Sequence, residues 1–270
     1  MEQHATGMSR RRALGLMAGG AVAGTAGLVL PATAASAHGD IQTYDGVWGQ
    51  RTVYEPTGEL HSFGYRPSFH DRMSSWLEFW YNNTPSNFLK PMRVWTYGVH
   101  NDDRVSEAHN NGRGFDLSRI YATGTDGDLH RRFFARHDIW KDWTGDAFTE
   151  ARRHYWATAA SAHHHFRNVL TYLYNADHDN HIHIDNLVSG TSNSEFDTGS
   201  EAQVQHVQAC CRFIWGKSTS IDGVWGPQTN GDSHEVLVRI GEGGYLTGAQ
   251  AKWLAFNRAS LRKGYGTQEY

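Results

Sequence analysis

Residues 178 to 185 read His178-Asp179-Asn180-His181-Ile182-His183-Ile184-Asp185. Successive side chains of a β-strand point to opposite faces of the sheet, so this stretch predicts a strand with His181 and His183 on one face. Ile182 and Ile184 would then pack into the core from the other face. Imidazoles two residues apart on a strand lie about 6.5 Å from each other, and the cluster of three histidines favours a site over an ordinary half-buried strand.

A second stretch pairs a histidine with a carboxylate seven positions later, from His109 to Asp116. The offset is about 10.5 Å on a helix and about 23 Å in an extended chain, too far for two ligands of one metal ion. The chain must therefore fold back between them. Gly112 and Gly114 allow this, because glycine accepts positive φ and close approach of other atoms.

The flanking sequence predicts an α+β fold, with a small antiparallel sheet and flanking helices carrying the site. Apolar residues at helical spacing predict helices over 71–81 and 148–166, and short β-branched and aromatic runs predict strands over 93–99, 114–121 and 182–188. The polar stretch 189–200 is typical of a linker. It divides a predicted catalytic domain, 38–188, from a small all-α C-terminal domain, 201–270.

Composition excludes some classes of protein. The 270 residues carry a formal net charge of -3, so there is no basic field to hold a nucleic acid. The two cysteines, Cys210 and Cys211, are neighbours and cannot form a disulfide framework. We read them as packed thiols or a strained vicinal disulfide.

The N-terminal residues 1–37 have the features of a twin-arginine signal peptide. Arg10-Arg11-Arg12 precedes an uncharged Ala- and Gly-rich stretch, and Ala35-Ser36-Ala37 supplies small residues for cleavage. The stretch is too weakly apolar for a stable membrane anchor. We therefore expect export by the twin-arginine machinery and a mature protein that is secreted or associated with the cell wall.

The paired motifs resemble a known family. His-x-x-Gly-x-Gly-x-Asp at 109–116 followed by His-x-x-His-x-His at 178–183 looks like the LAS-type zinc metallopeptidases. The similarity is greatest to the extensin-like C-terminal domain group and the penicillin-insensitive murein endopeptidases. It covers roughly 93–186 and includes the Phe166-Arg167-Asn168-Val169-Leu170 segment. Ala108 is an insertion relative to the Ser-Glu-His order that is usual in the family.

This resemblance implies that His109, Asp116 and His183 bind Zn²⁺, with His181 and His178 as catalytic residues beside them. Three protein ligands leave a coordination position for water, as in catalytic zinc sites. Strand spacing alone is equally compatible with His181 and His183 both being ligands. Of the nearby cations, Arg104 is favoured as a substrate-binding residue over Arg113, whose parity in an extended segment turns it away from Asp116.

The C-terminal part resembles a small helical peptidoglycan-binding module. Its Asp222-Gly223-Val224-Trp225-Gly226 turn stands between two predicted helices, with Thr229 placed to cap the second. Trp225 would either bind ligand or pack as a buried side chain. The same turn recurs at Asp45-Gly46-Val47-Trp48-Gly49, where we expect at most a degenerate half of such a module.

Together these features predict a secreted zinc metallopeptidase that cleaves amide bonds in peptidoglycan stems or cross-links and has peptidoglycan as its partner. Two alternatives remain open at this stage: a zinc carboxypeptidase acting on another secreted peptide, and a non-catalytic wall-binding protein with a structural metal site. The consecutive His163, His164 and His165 cannot converge on one ion, because successive helical residues point about 100° apart. They are predicted to be polar and boundary positions of a helix.

Overall fold

An eight-stranded mixed sheet forms the centre of the fold in the computed structural model, which describes residues 40–100 and 106–270. The described residues form ten strands in all, eight of them in this sheet and two in a separate pair. They are β1 (Gln42–Tyr44), β2 (Gly46–Val47), β3 (Gln50–Tyr54), β4 (Glu59–Leu60), β5 (Phe63–Tyr65), β6 (Leu89–Thr96), β7 (Gly114–Thr123), β8 (Leu129–Phe134), β9 (Asn168–Leu170) and β10 (Ile182–Asp185). The helices are α1 (Pro67–Asn82), α2 (Glu107–Asn110), α3 (His137–Trp140), α4 (Gly145–His165), α5 (Glu201–Phe213), α6 (Pro227–Arg239) and α7 (Gln250–Gly264). Two short 3₁₀ turns span Ala176–His178 and Leu246–Gly248.

The predicted α+β class is confirmed, but the main sheet is larger than expected and mixed. Its order is β2-β3-β6-β7-β10-β9, with β4 beside β3 and β8 beside β7, while β1 and β5 form a separate antiparallel pair. The parallel pairing of β3 with β6 makes the sheet mixed. The added strands come from residues 46–60, 129–134 and 168–170, which the sequence did not mark as sheet.

The N-terminal Asp-Gly-Val-Trp-Gly turn forms a β-hairpin between β2 and β3 and does not form half of a helical module. Trp48 and Gly49 both have positive φ, 51° and 69°, which is the backbone of a two-residue hairpin loop. Gly46 pairs with Arg51, and Val47 pairs with Gln50. Neighbouring strands therefore decide the structure of this pentapeptide.

Helix α1 packs on α4 through two buried tryptophans. The indole of Trp76 donates to Ser161 Oγ at 2.9 Å, and that of Trp80 donates to Thr158 Oγ1 at 3.2 Å. Both of these indole N–H groups thus have a hydrogen-bond acceptor, which removes the penalty of an unpaired buried donor.

The prediction that His163, His164 and His165 lie at polar and boundary positions is wrong, because all three are buried. The last turns of α4 are covered from several sides. His164 stacks on Phe79 of α1 with ring centroids 4.2 Å apart, and His163 lies 4.2 Å from the ring of His206 in α5.

The C-terminal helices share the core of the other elements. Residues 40–100 and 106–270 group into one compact unit. Helix α7 packs along α4 so closely that a Cβ on Gly264 would lie 2.4 Å from Cβ of Ala157, and Thr158 Oγ1 is 2.8 Å from the hydroxyl of Tyr265. The predicted linker also packs, since buried Ser194 accepts from the Trp253 indole at 2.6 Å. The boundary predicted at 189–200 therefore does not separate two bodies within the described residues.

The second Asp-Gly-Val-Trp-Gly turn joins α5 to α6 and is held by the amide of Gln208. Its Nε2 donates to Asp222 Oδ1 at 2.7 Å and to Thr229 Oγ1 at 3.1 Å, and its Oε1 accepts from the backbone of Asp222 and Gly223. Thr229 is thus engaged by Gln208 and does not cap α6, for which Gly226 is the N-cap residue.

Two further sequence predictions concern the cysteines and the N-terminus. Cys210 and Cys211 are both free and buried, as expected for packed thiols. The signal peptide predicted over 1–37 lies outside the described residues. Among the residues that are described, none of the helices has the length and apolar character to cross a bilayer.

Candidate metal centre

The pairing of β10 with β7 creates the centre of the site. In this antiparallel register His183 lies directly opposite Asp116. Its Nδ1 is 2.9 Å from Asp116 Oδ1, while Nε2 of His109 is 3.2 Å from the same oxygen. His109, Asp116 and His183 therefore form a group that could hold a metal ion, with one ligand atom from each residue and all of these atoms within 4.8 Å of one another.

The two glycines of the first motif perform the tasks that the sequence predicts for them. Gly112 has a φ of +60°, which turns the chain between the short α2 and β7. Gly114 lies under the imidazole of His109, where a Cβ would be only 3.1 Å from ring atoms including Nε2. Gly112 therefore allows the chain to fold back, and Gly114 leaves room for the imidazole of His109.

A backbone carbonyl fixes the orientation of His109. Its Nδ1 lies 2.5 Å from the carbonyl oxygen of Val99, so the Nδ1–H donates to that oxygen. This leaves Nε2 facing Asp116 with the lone pair that a metal ligand needs. Ser106 also accepts a hydrogen bond from the backbone N–H of His109, which starts α2.

A carboxylate that the sequence analysis did not single out fixes His183. Nε2 of His183 donates to Asp185 Oδ2 at 3.2 Å, which directs Nδ1 toward Asp116. The other oxygen of Asp185 accepts from Asn168 Nδ2 at 3.0 Å and from the backbone N–H of Leu187 at 2.9 Å. Asp185 has the same strand parity as His183, so the alternation that paired the two histidines could have identified it.

Opposite charges at the centre stabilise each other. Burial alone would raise the pKa of Asp116, but hydrogen bonds with His109 and His183 hold it well below its usual range. Burial opposes the charge on His183, yet hydrogen bonds to Asp116 and Asp185 raise its pKa to about 9. Burial likewise opposes the charge on His109, and Asp116 raises the pKa of that imidazole. Since histidine binds metal as a neutral imidazole, a cation would compete here with protons.

His181 lies beside the group of three without belonging to it. Its Nε2 is 3.4 Å from Asp116 Oδ1, and its Nδ1 donates to Asn180 Oδ1 at 2.6 Å. Burial lowers the pKa of His181, against the attraction of Asp116. The ring of His178 is 5.2 Å from that of His181, and burial together with the neighbouring histidines lowers the pKa of His178 to about 4. The structure thus brings all five predicted histidines and carboxylates into one cluster.

The loop that carries His178 and His181 is tied to α3 by Asp179. The Asp179 carboxylate is 2.5 Å from Nδ1 of His137 and 3.1 Å from Nζ of Lys141, and its backbone oxygen accepts from Asp138. Sequence patterns do not predict this contact, because His137 and Asp179 are far apart in the chain.

Only one of the two predicted substrate-binding residues, Trp225, lies among the described residues. Arg104 lies outside the described residues. Trp225 is half-buried and packs edge-on against Phe196 with ring centroids 4.9 Å apart. Alternation in an extended segment predicted that Arg113 faces away from Asp116. Its side chain donates to that of Asn186 at 2.8 Å.

Comparison of the chain with protein-family models, with curated proteins and with solved structures found no match in any of the three.

Proposed function

We propose that the protein is a secreted zinc-dependent hydrolase that cleaves amide bonds in the peptide stems or cross-links of peptidoglycan. One observation carries the chemical part of this proposal: two oriented imidazoles and a carboxylate share a small volume, and a further imidazole stands beside them. The substrate class rests on the resemblance of the two motifs and of the C-terminal turn to families that act on or bind cell walls.

The donor set fits zinc. Two imidazole nitrogens and one carboxylate oxygen are ligands that zinc commonly takes, and three protein ligands are typical of its catalytic sites. The atoms of His109 and His183 lie 3.2 and 2.9 Å from that of Asp116, near the edge of about 3.3 Å of a tetrahedron with zinc–ligand bonds of 2.0–2.1 Å. When bound, zinc would supply a Lewis acid that polarises a carbonyl and acidifies water.

His181 is the residue proposed to move protons. Its Nδ1–H is committed to Asn180, so Nε2 holds the free lone pair and faces the centre. Nε2 would accept a proton from the attacking water and return it to the leaving amine nitrogen. His178 lies against His181 and positions its ring.

The remaining features agree with a wall substrate. The export signal predicted over 1–37 would deliver the protein to the compartment where peptidoglycan lies. A carboxypeptidase acting on another secreted peptide would use the same centre. A non-catalytic wall-binding protein with a structural metal would not require His181 and His178 beside a complete ligand set.

Digestion of purified peptidoglycan and of defined muropeptides tests the proposal. We expect the zinc-loaded protein to release fragments whose masses correspond to hydrolysed amide bonds, and we expect a chelator to abolish and added zinc to restore the release. Cleavage that persists without metal, or intact muropeptides with a folded and zinc-loaded protein, would contradict it. Cleavage of unrelated secreted peptides alone would instead support the carboxypeptidase alternative.

A further inference from the structure

A groove between β8 and the first half of α4 collects positive charge that the protein does not neutralise. Two adjoining cavities of about 190 and 300 Å³ share Arg131, Arg132, Glu150 and His154 as lining residues, and Arg153 lines the larger one. Phe134, Trp143 and Phe88 supply aromatic walls. Three arginines and one acidic residue thus line these two adjoining cavities.

None of these three arginines forms a hydrogen bond or an ion pair through its side chain within the part of the chain that the structure describes. Glu150 is largely exposed, and its carboxylate is 3.9 Å from Nδ1 of His154. Glu269, whose pKa Arg153 helps to lower, is already paired with Lys263 at 2.8 Å. The contrast with Arg119 and Arg136, which both pair with buried Glu55, shows that this fold neutralises other arginines internally.

Aromatic rings hold two of the guanidinium groups in place. Cζ of Arg131 lies 3.9 Å from the centroid of Phe134, and Cζ of Arg132 lies 4.6 Å from that of Phe88. A guanidinium stacked by its face on a ring keeps its N–H edge free for a bidentate oxyanion contact. Nε of Arg132 is buried and has no hydrogen-bond acceptor among the described residues.

A neutral donor completes the groove. His154 stacks on Tyr265 with ring centroids 4.4 Å apart, and burial together with Arg153 lowers its pKa to about 4. It therefore offers a neutral imidazole at neutral pH, which can donate one hydrogen bond.

The groove is separate from the metal centre. Arg131 pairs with Tyr121 of β7, five positions beyond Asp116, which is about 17 Å along the strand. From the arginines, their stacking and this position, we propose that the groove is a second binding site for a multiply charged anion, a ligand that carries a phosphate group or several carboxylate groups. This site does not depend on the proposed hydrolase activity.

Titration of the full chain with inorganic phosphate and with citrate at low ionic strength tests the proposal. We expect saturable binding by calorimetry, and a shift of the Arg132 Nε–H resonance in NMR spectra. The Arg131→Gln/Arg132→Gln double variant should weaken binding at least about tenfold, because it removes two charge-assisted contacts. Preference for one of the two probes would assign the chemical class of the ligand.

The matched control is Arg152→Gln. Arg152 is the neighbour of Arg153 on α4 and is also stacked on aromatic rings, those of Phe148 and Phe213, but it does not line this groove. We expect this control to change the affinity less than twofold. Equal weakening in both variants would indicate non-specific attraction, and unchanged binding in the double variant would indicate chelation at the metal centre; either result overturns the proposal. If the double variant does not fold, exposed Arg153→Gln provides the same comparison, and we expect it to weaken binding several-fold.

Discussion

The carboxylate of Asp185 holds Nε2 of His183 at 3.2 Å, and this contact turns Nδ1 of the same ring toward Asp116. The carboxylate itself is fixed by Asn168 and by the backbone of Leu187. The orientation of the His183 ring therefore depends on a residue outside the group formed by His109, Asp116 and His183. Outer partners of this kind raise ligand basicity and select the tautomer.

Asp185→Asn tests this relationship. Asparagine keeps the shape of the side chain but loses the charge that favours the Nε2–H form of His183, so zinc affinity should fall about 10- to 100-fold. Competition with a chromophoric chelator measures the affinity. Asp71→Asn, at a largely exposed carboxylate of α1, is the control and should leave it unchanged. Unchanged affinity in Asp185→Asn would show that the contact does not tune the ligand.

Two alanine variants distinguish a metal ligand from a general base: His183→Ala and His181→Ala. The first should abolish stoichiometric zinc binding. The second should retain zinc, because three donors remain, and lose turnover by about 10²- to 10⁴-fold, the usual contribution of general acid–base catalysis. Metal analysis and muropeptide digestion provide the two readouts, with exposed His61→Ala as the control. Equal zinc loss in the two variants would make His181 a ligand.

Gly114→Ala tests the space below His109. The added Cβ would lie about 3.1 Å from the imidazole, so the ring must shift and zinc affinity should drop at least about tenfold while the fold persists. Gly231→Ala in α6 meets nothing within 4 Å and is the control. Wild-type zinc affinity in Gly114→Ala would show that the ring tolerates displacement.

Buried neutral histidines around α4 should make the protein sensitive to acid. Burial lowers the pKa of His164 to about 3, that of His165 to about 2 and that of His206 to about 4, and it holds that of His163 well below its usual value. An unfolded chain takes up protons at these residues below pH 6.5 and the folded chain does not. The contribution of these histidines to the free energy of unfolding is therefore at its full value above pH 6.5. It decreases as the pH drops toward the folded pKa, by about 2 kcal/mol per such histidine at pH 5.

His164→Phe isolates one of these contributions. Neither ring nitrogen of His164 has a hydrogen-bond partner among the described residues, and the ring stacks on Phe79, so phenylalanine can replace it without losing a hydrogen bond. Urea unfolding at pH 7 and pH 5 should show a pH dependence smaller than that of the wild type by about 2 kcal/mol. His183 acts in the opposite direction, because its pKa is raised, but it is common to both proteins. His61→Phe, at an exposed site, should keep the wild-type slope; a wild-type slope in His164→Phe would contradict the prediction.

Local patterns predicted the parts of the site that depend on local geometry. Strand parity placed His181 and His183 on one face, and the two glycines of the first motif indicated the fold-back that the structure shows at Gly112. The contacts that orient the ligands join distant segments, such as Val99 with His109 and Asn168 with Asp185. No spacing rule could have predicted them, because they depend on the order of strands in the sheet.

Tertiary context overrode local pattern elsewhere. Asp-Gly-Val-Trp-Gly forms a hairpin at 45–49 and an interhelical turn at 222–226, since β3 continues one copy and Gln208 of α5 holds the other. The polarity of His163, His164 and His165 predicted polar and boundary positions on a helix, yet α1 and α5 cover these residues. For Trp225 the sequence left open a ligand-binding role and a packing role, and the structure shows its ring against that of Phe196.

The close approach of Gly264 to Ala157 bears on how this chain can be engineered. Cutting within 189–200 would strip a covering layer from α4 and leave the apolar surfaces of Trp156 and Trp253 facing water. We therefore expect that neither fragment folds on its own as an independent domain. Exchange of residues 201–270 between proteins would therefore require redesign of the side chains that pack against α4.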